Sequence, residues 1–336
     1  MVSWRPDVLG EKYEQTTLEL EPDAQGEVVA TLVRRTRSLW QRLAASVRPL
    51  SDVDVLYVHG WADYFFQTEL AELWEQLGAR FHALDLRKYG RSLREHQTPG
   101  FISDLATYDE DIDAALEVMG HAPDAGNGRR LIVMAHSTGG LTMSLWAHRH
   151  PGRVAALVLN SPWLEFQIGG VGREVLTPML ELGARISPLR SLPQVDFGFY
   201  TRTISNRFEG EWEIDPRWRP DQGAATHSAW LAAVFAGQRR VATGLSIDAP
   251  VLVLLSSRST IQRTWSEQMR SSDIVLNVDE VAQRVPQLGS CVTLVRLDGA
   301  LHDVLLSAKP VREKAKGEIH RWLGGYGRKP KSGDAD

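Results

Sequence analysis

The sequence predicts an α/β protein, a mostly parallel sheet covered by helices on both faces, with a helical segment inserted late in the chain. Short, apolar, β-rich runs alternate with stretches whose apolar residues recur at helical spacing. Strands joined in this way by helices pack as a parallel sheet between two helical layers. The alternation stops near residue 164 and resumes near residue 248. The 336 residues therefore divide into a core over 1–163 and 248–324, an inserted helical lid over 164–247 and a tail over 325–336.

Tyr13 to Leu20 and Glu27 to Arg35 read as opening strands, and the turn-rich Glu-Pro-Asp-Ala-Gln-Gly between them makes the pair antiparallel. The apolar run Val53 to Val58 ends in His59-Gly60 and gives way to a helix-like stretch through Leu77; Arg80 to Leu86 is the next strand. From Asp104 onward, Leu105, Tyr108, Ile112, Ala115, Leu116 and Met119 share one helical face, which must pack on a sheet. Leu131-Ile132-Val133-Met134 is uncharged, as a strand covered on both faces must be. Leu141 to His150 is helical until Pro151, and Val154 to Leu159 is one more strand. Residues 164–247 then show helix-like stretches, many aromatics and no convincing strand. Strand rhythm returns at Val251 to Leu255, continues over Cys291 to Leu297, and closes with a helix from about Val311 to Leu323.

With 43% hydrophobic residues the chain can bury a large core. Its formal charge of −4 creates no global positive field, which argues against nucleic acid and anionic lipid as partners. Arg328, Lys329 and Lys331 form the one basic cluster, in a tail that reads as a solvated end. The single cysteine, Cys291, has no partner for an internal disulfide and sits in a strand pattern, so it is expected to be inert core. No signal-peptide pattern and no membrane-length apolar run occur, so the expected location is the cytoplasm, without stable membrane insertion. Neither a His-Glu-x-x-His string nor paired cysteines nor a Gly-rich phosphate loop is present, so no metal or cofactor is expected.

The most informative stretch is Ala135-His136-Ser137-Thr138-Gly139-Gly140, which joins a buried strand to a helix with Ser137 at the apex. In such a strand–turn–helix the serine is held in a strained conformation and the residues two before and two after it must be small, here Ala135 and Gly139. A small-x-Ser-x-small string arises by chance on the order of once in a chain this long, so its placement between strand and helix carries the weight. The stretch resembles the nucleophile elbow of the α/β-hydrolase fold, in particular its monoacylglycerol lipase, lysophospholipase and serine aminopeptidase-like (S33) branch. His59-Gly60-Trp61, Asp85-Leu86-Arg87-Lys88-Tyr89-Gly90-Arg91-Ser92 and Gly299-Ala300-Leu301-His302-Asp303 extend the resemblance over nearly the whole chain, in the expected order.

The resemblance implies a cofactor-free serine hydrolase acting on a small ester substrate, with Ser137 as nucleophile. A serine hydroxyl needs a base, and among ten histidines His302 is selected because it follows the last strand in a Gly-containing loop, at the carboxyl edge of the sheet. The acid departs from the family pattern: Ser256-Ser257-Arg258-Ser259, where it would fall, contains none. Ser271-Ser272-Asp273-Ile274-Val275-Leu276 resembles the acid loop displaced by Thr260 to Arg270, which selects Asp273, with Asp279 as the alternative. Asp303 is expected to cap the following helix or to stay solvated instead. By the same resemblance the amides of Trp61 and Thr138 form the oxyanion hole. Tyr64, Phe65 and Phe66, just beyond Trp61, are expected at the substrate pocket, and His136 beside the nucleophile joins Tyr64 and Phe65 as a substrate-binding candidate. Two rivals stay open. A serine aminopeptidase would hold an ammonium with Glu209, Glu211 or Glu213, and a ligand-binding relative would have kept the fold without turnover.

Overall fold

The computed structural model describes residues 2–123, 127–166, 181–192 and 197–326. Its centre is a nine-stranded sheet: β1 (Arg5–Pro6), β2 (Tyr13–Asp23), β3 (Gly26–Arg35), β4 (Val53–Val58), β5 (Arg80–Asp85), β6 (Arg130–His136), β7 (Ala156–Asn160), β8 (Val251–Ser256) and β9 (Val292–Leu297). The spatial order is β1-β2-β3-β5-β4-β6-β7-β8-β9. Strands β1, β2 and β3 pair antiparallel, as does β3 with β5, while every pair from β5 to β9 is parallel.

Helices α1 (Leu39–Ala45), α2 (Thr68–Gln76), α3 (Tyr108–Met119), α4 (Ser137–Arg149), α5 (Phe199–Ile204), α6 (Ser228–Ala242), α7 (Val278–Arg284) and α8 (Lys309–Tyr326) complete the named elements. Alternation along each central strand sends odd and even residues to opposite layers. Leu56, Val58, Val133 and Ala135 pack with residues of α3, α4 and α6 on one face. Val55, Tyr57, Ile132 and Met134 pack with Leu70 and Trp74 of α2 and Ile319 of α8 on the other. Both faces are therefore dry, which is why these strands carry uninterrupted apolar runs.

Several expectations need adjustment. The stretch after His59-Gly60 is loop until Thr68, because its backbone is held by side chains, as when Phe65 N–H donates to Asp85 Oδ1 at 2.9 Å. The final helix runs to Tyr326, two positions into the predicted tail, and the basic residues Arg328, Lys329 and Lys331 lie outside the described residues. Cys291 precedes β9 and is half-buried rather than core. Between β7 and β8 the described residues form α5, α6, a helical turn over 181–186 and isolated bridges, and part of the predicted 164–247 segment lies outside them. No described helix is long and apolar enough to cross a membrane.

Candidate active site

Parallel strands bring their carboxyl ends to one edge of the sheet, and the residues singled out from the sequence follow four of them: Trp61 after β4, Ser137 after β6, Asp273 after β8 and His302 after β9. Ser137 opens α4 with φ +51°, a left-handed conformation that costs a non-glycine residue about 1–2 kcal/mol. What holds it is close packing beneath the turn. A Cβ on Gly139 would lie 2.2 Å from the carbonyl oxygen of His59, and one on Gly60 would lie 3.0 Å from Ser137 Cβ. The requirement for a small residue at 139 therefore comes from the end of β4, whereas Ala135 is packed in the core as an ordinary strand residue.

His302 Nε2 lies 3.0 Å from Ser137 Oγ, across 165 residues of chain. Its Nδ1 lies 2.9 Å from Asp273 Oδ2. A carboxylate only accepts, so Nδ1 carries the proton and Nε2 is left to accept from the serine hydroxyl. Ser137, His302 and Asp273 are 7%, 2% and 0% exposed, so the line of groups is shielded from bulk water. The other oxygen of Asp273 accepts the backbone N–H groups of Val275 and Leu276, both at 2.8 Å. This fixes the carboxylate from both sides.

Asp273 reaches the place after β8 because the chain leaves and returns: Asp273 pairs with Ser259, Thr260 N–H donates to its carbonyl at 2.8 Å, and its own N–H donates to the Arg258 carbonyl at 3.0 Å. The side chain of the alternative, Asp279, is 71% exposed and pairs with Arg296 at 2.6 Å. Asp303 takes the capping role expected of it, accepting Leu305 N–H at 2.9 Å, and also accepts Asn160 Nδ2–H at 2.6 Å.

Trp61 and Thr138 flank the serine from β4 and from the first turn of α4. Thr138 N–H belongs to the helical donors that have no partner within the helix, and Trp61 N–H donates to no acceptor among the described residues. Of the pocket candidates, Tyr64 is buried, with its ring 5.1 Å from Trp218 and its hydroxyl accepting Asp215 N–H at 2.9 Å. Phe66 packs with Tyr64 and Trp212. Phe65 does not reach this side: it is fully buried in the opposite layer, against Tyr13, Tyr57 and Phe81. Alternation in the extended loop turns it under the sheet while its neighbours face up. His136 is 2% exposed, with Nδ1 3.1 Å from the Asn160 carbonyl and its ring 4.9 Å from that of His302. Burial lowers its pKa below the ordinary value of 6.5.

The sequence reading missed Asn160 and Arg219, and placed Tyr200 only among the aromatics of the inserted segment that could line an acyl site. Asn160, closing β7, ties the histidine loop down through Asp303 and by accepting Val304 N–H at 3.1 Å. Its signal was a polar residue ending an apolar strand. Tyr200 places its ring edge-on to His302 at 5.5 Å and accepts Asp303 N–H with its hydroxyl at 3.1 Å. Arg219 pairs with Asp63 at 2.6 Å, with side chains 7% and 2% exposed. No local pattern marks either of the latter two. Among the described residues no cluster of His, Cys, Asp and Glu suits a metal ion.

A doubly covered, mostly parallel sheet with Ser, His and Asp aligned at its carboxyl edge defines the class, the α/β-hydrolases. More narrowly, the profile of the serine aminopeptidase S33 family matches residues 51–307, and the chain belongs to that hydrolase family. No curated protein matches the sequence. Among solved structures, the monoacylglycerol lipase of Paleococcus ferrophilus is similar at 20% identity and TM-score 0.61, over 83% of this chain and 96% of that one. A soluble variant of the monoglyceride lipase of Saccharomyces cerevisiae, solved with a substrate analog, is similar at 13% identity and TM-score 0.66, over 92% and 94%. The carboxyl esterase of Bacillus coagulans, solved with glycerol, gives 13% identity and TM-score 0.62, over 93% and 98%.

Proposed function

We propose that this hydrolase cleaves carboxylic esters, of the monoacylglycerol or lysophospholipid kind or with short-to-medium acyl chains, through an acyl-enzyme on Ser137. The single observation that carries the reading is the relay Ser137 Oγ, His302, Asp273 with its contacts of 3.0 and 2.9 Å. Ser137 Oγ attacks the ester carbonyl while His302 Nε2 takes its proton; the same proton passes to the departing alkoxide, which leaves as the alcohol. Water then enters, gives a proton to His302 and attacks the acyl carbon, releasing the acid and restoring the serine. Asp273 holds the ring in the tautomer that accepts at Nε2 and stabilises the imidazolium that forms in both steps. The N–H groups of Trp61 and Thr138 receive the negative charge on the carbonyl oxygen, and each such donor is worth about 3–4 kcal/mol of barrier.

Ester cleavage is favoured over aminopeptidase action by the state of the acids. Glu209 is bonded to Arg202, Glu211 pairs with Arg312 at 2.7 Å, and Glu213 is exposed. The buried acid nearest the oxyanion loop, Asp63, is neutralised by Arg219. Three of these four carboxylates are thus engaged by arginines, and the fourth, Glu213, is exposed at the surface. Apolar acyl chains suit the aromatics beside Trp61, whose ring centroid lies 3.7 Å from that of Trp230, with Trp163 and Phe166 continuing the cluster.

The test is covalent labelling by a fluorophosphonate together with release from p-nitrophenyl esters of graded acyl length. Labelling of the wild type but not of Ser137→Ala, with ester turnover and no release from alanine or proline anilides, is expected. A folded wild type that neither labels nor turns over esters would leave the ligand-binding rival, and anilide turnover without ester turnover would establish the aminopeptidase.

A further inference from the structure

We propose that Arg219 is a positioning residue, holding the oxyanion loop in register with the nucleophile through its buried ion pair with Asp63. The inference rests on the ester-hydrolase reading and concerns how its charge-stabilising donor is kept in place.

The loop that follows β4 is poorly held where it matters most. Leu86 N–H donates to His59 Nε2 at 3.1 Å, and Phe65 is fixed through Asp85, but among the described residues no hydrogen bond is made by the backbone of Trp61 or Ala62. Ala62 is moreover in the left-handed region at φ +48°, a strained state that persists only when its surroundings impose it. Asp63 is the first fixed point after Trp61. Its Oδ1 accepts the N–H of its own neighbour Tyr64 at 3.0 Å, and among the described residues the ion pair that joins the carboxylate to a distant part of the chain is with Arg219, at 2.6 Å. In a buried setting such a pair is strong to break from one side, because the charge left behind has no water to turn to.

Arg219 also stands between the two halves of the site. Its guanidinium carbon lies 5.1 Å from the centroid of Tyr200, the ring that meets His302 edge-on. The same stretch of chain grips both loops elsewhere: Asp215 N–H donates to Tyr64, and Trp212 Nε1–H donates to the Leu306 carbonyl at 2.9 Å. Burial by itself would lower the Arg219 pKa, and the Asp63 carboxylate outweighs it, so the cation persists. Without it, the backbone from Trp61 to Asp63 is free to relax its strain, and Trp61 N–H leaves the line toward the reacting carbonyl.

The experiment compares wild type, Arg219→Met, Arg219→Lys, the paired neutral variant Arg219→Met with Asp63→Asn, and Arg207→Met, which removes an exposed ion pair with Asp221 in the same segment. Each is assayed on a p-nitrophenyl ester and on the matching thionoester, whose sulfur fits an oxyanion hole poorly. Loss of one well-placed donor predicts a kcat reduced about a hundredfold in Arg219→Met, KM within about twofold, and an oxoester-to-thionoester ratio reduced about tenfold. Arg219→Lys recovers part of both, and Arg207→Met changes neither. If Arg219→Met does not fold, the paired variant is read in its place and the same losses are expected, since the anchor is absent there too. Wild-type kcat and an unchanged thiono ratio in a folded Arg219→Met or paired variant would overturn the positioning role while leaving the ester reading intact. A wild type without ester turnover or fluorophosphonate labelling would overturn both.

Discussion

The elbow that carries Ser137 and the loop that carries Asp273 deliver their side chains to the same histidine by opposite means. The elbow is fixed by backbone: β6 runs into α4, Gly139 lies against the end of β4, and the serine side chain contributes nothing to the turn that presents it. The acid loop is fixed by side chains. Asp273 holds its own loop through Val275 and Leu276 N–H, and Ser259 Oγ binds the far side, donating to the Leu276 carbonyl at 2.7 Å and accepting Val278 N–H at 2.9 Å. On the proposed mechanism, a change in the first region removes function without touching stability. In the second the proposed acid is also part of the structure.

The largest expected effect is on the elbow. Ser137→Ala should lower kcat/KM by at least about a thousandfold, as should His302→Ala, with the thermal midpoint of Ser137→Ala moved by no more than about 2 °C. A Ser137→Ala protein that keeps its esterase activity ends the mechanism. Asp273→Ala should cost both kinds of quantity: activity by about a thousandfold or more, and stability by about 2–4 kcal/mol in urea, because two buried N–H groups lose their acceptor. An Asp273→Ala protein as stable as wild type breaks the comparison on the acid-loop side.

Gly139→Ala should destabilise by about 3 kcal/mol or more, since the new methyl meets a backbone carbonyl that has nowhere to move. Acid should also act on the elbow. His136 is held below its ordinary pKa by burial, so the unfolded chain binds a proton below about pH 6.5 that the folded chain refuses. The contribution of His136 is then complete above pH 6.5 and falls below it by at most about 1.4 kcal/mol per pH unit, and His136→Gln should reduce the acid-side slope in urea titrations by up to that amount. Asp279→Asn should leave activity within about twofold; a larger loss, with Asp273→Asn active, would move the acid to residue 279.

What was legible in the sequence follows the same division. The elbow, the strands and His302 were readable because the information is local: an apolar run, a small residue two places after a serine, a Gly-containing loop after the last strand. Asp273 was read through its resemblance to a displaced acid loop, while the bridge to Ser259 that returns it to β8 is a long-range contact without a pattern of its own. Phe65 was misplaced because three adjacent aromatics give no sign of which one turns under the sheet. The contacts of Arg219 and Tyr200 were invisible for a deeper reason: each acts across a packing interface, and nothing in Trp-Arg-Pro or Phe-Tyr-Thr reports what lies opposite.

The bridge between Ser259 and Asp273 also closes residues 260–272 into an outgrowth that begins and ends at one point of the molecule, with an exposed tip over 261–264. Doubling such a stretch adds only about 0.6 kcal/mol of closure entropy. A reporter or affinity module can therefore be grafted at that tip, and the aspartate will keep its address while the insertion grows outward into solvent.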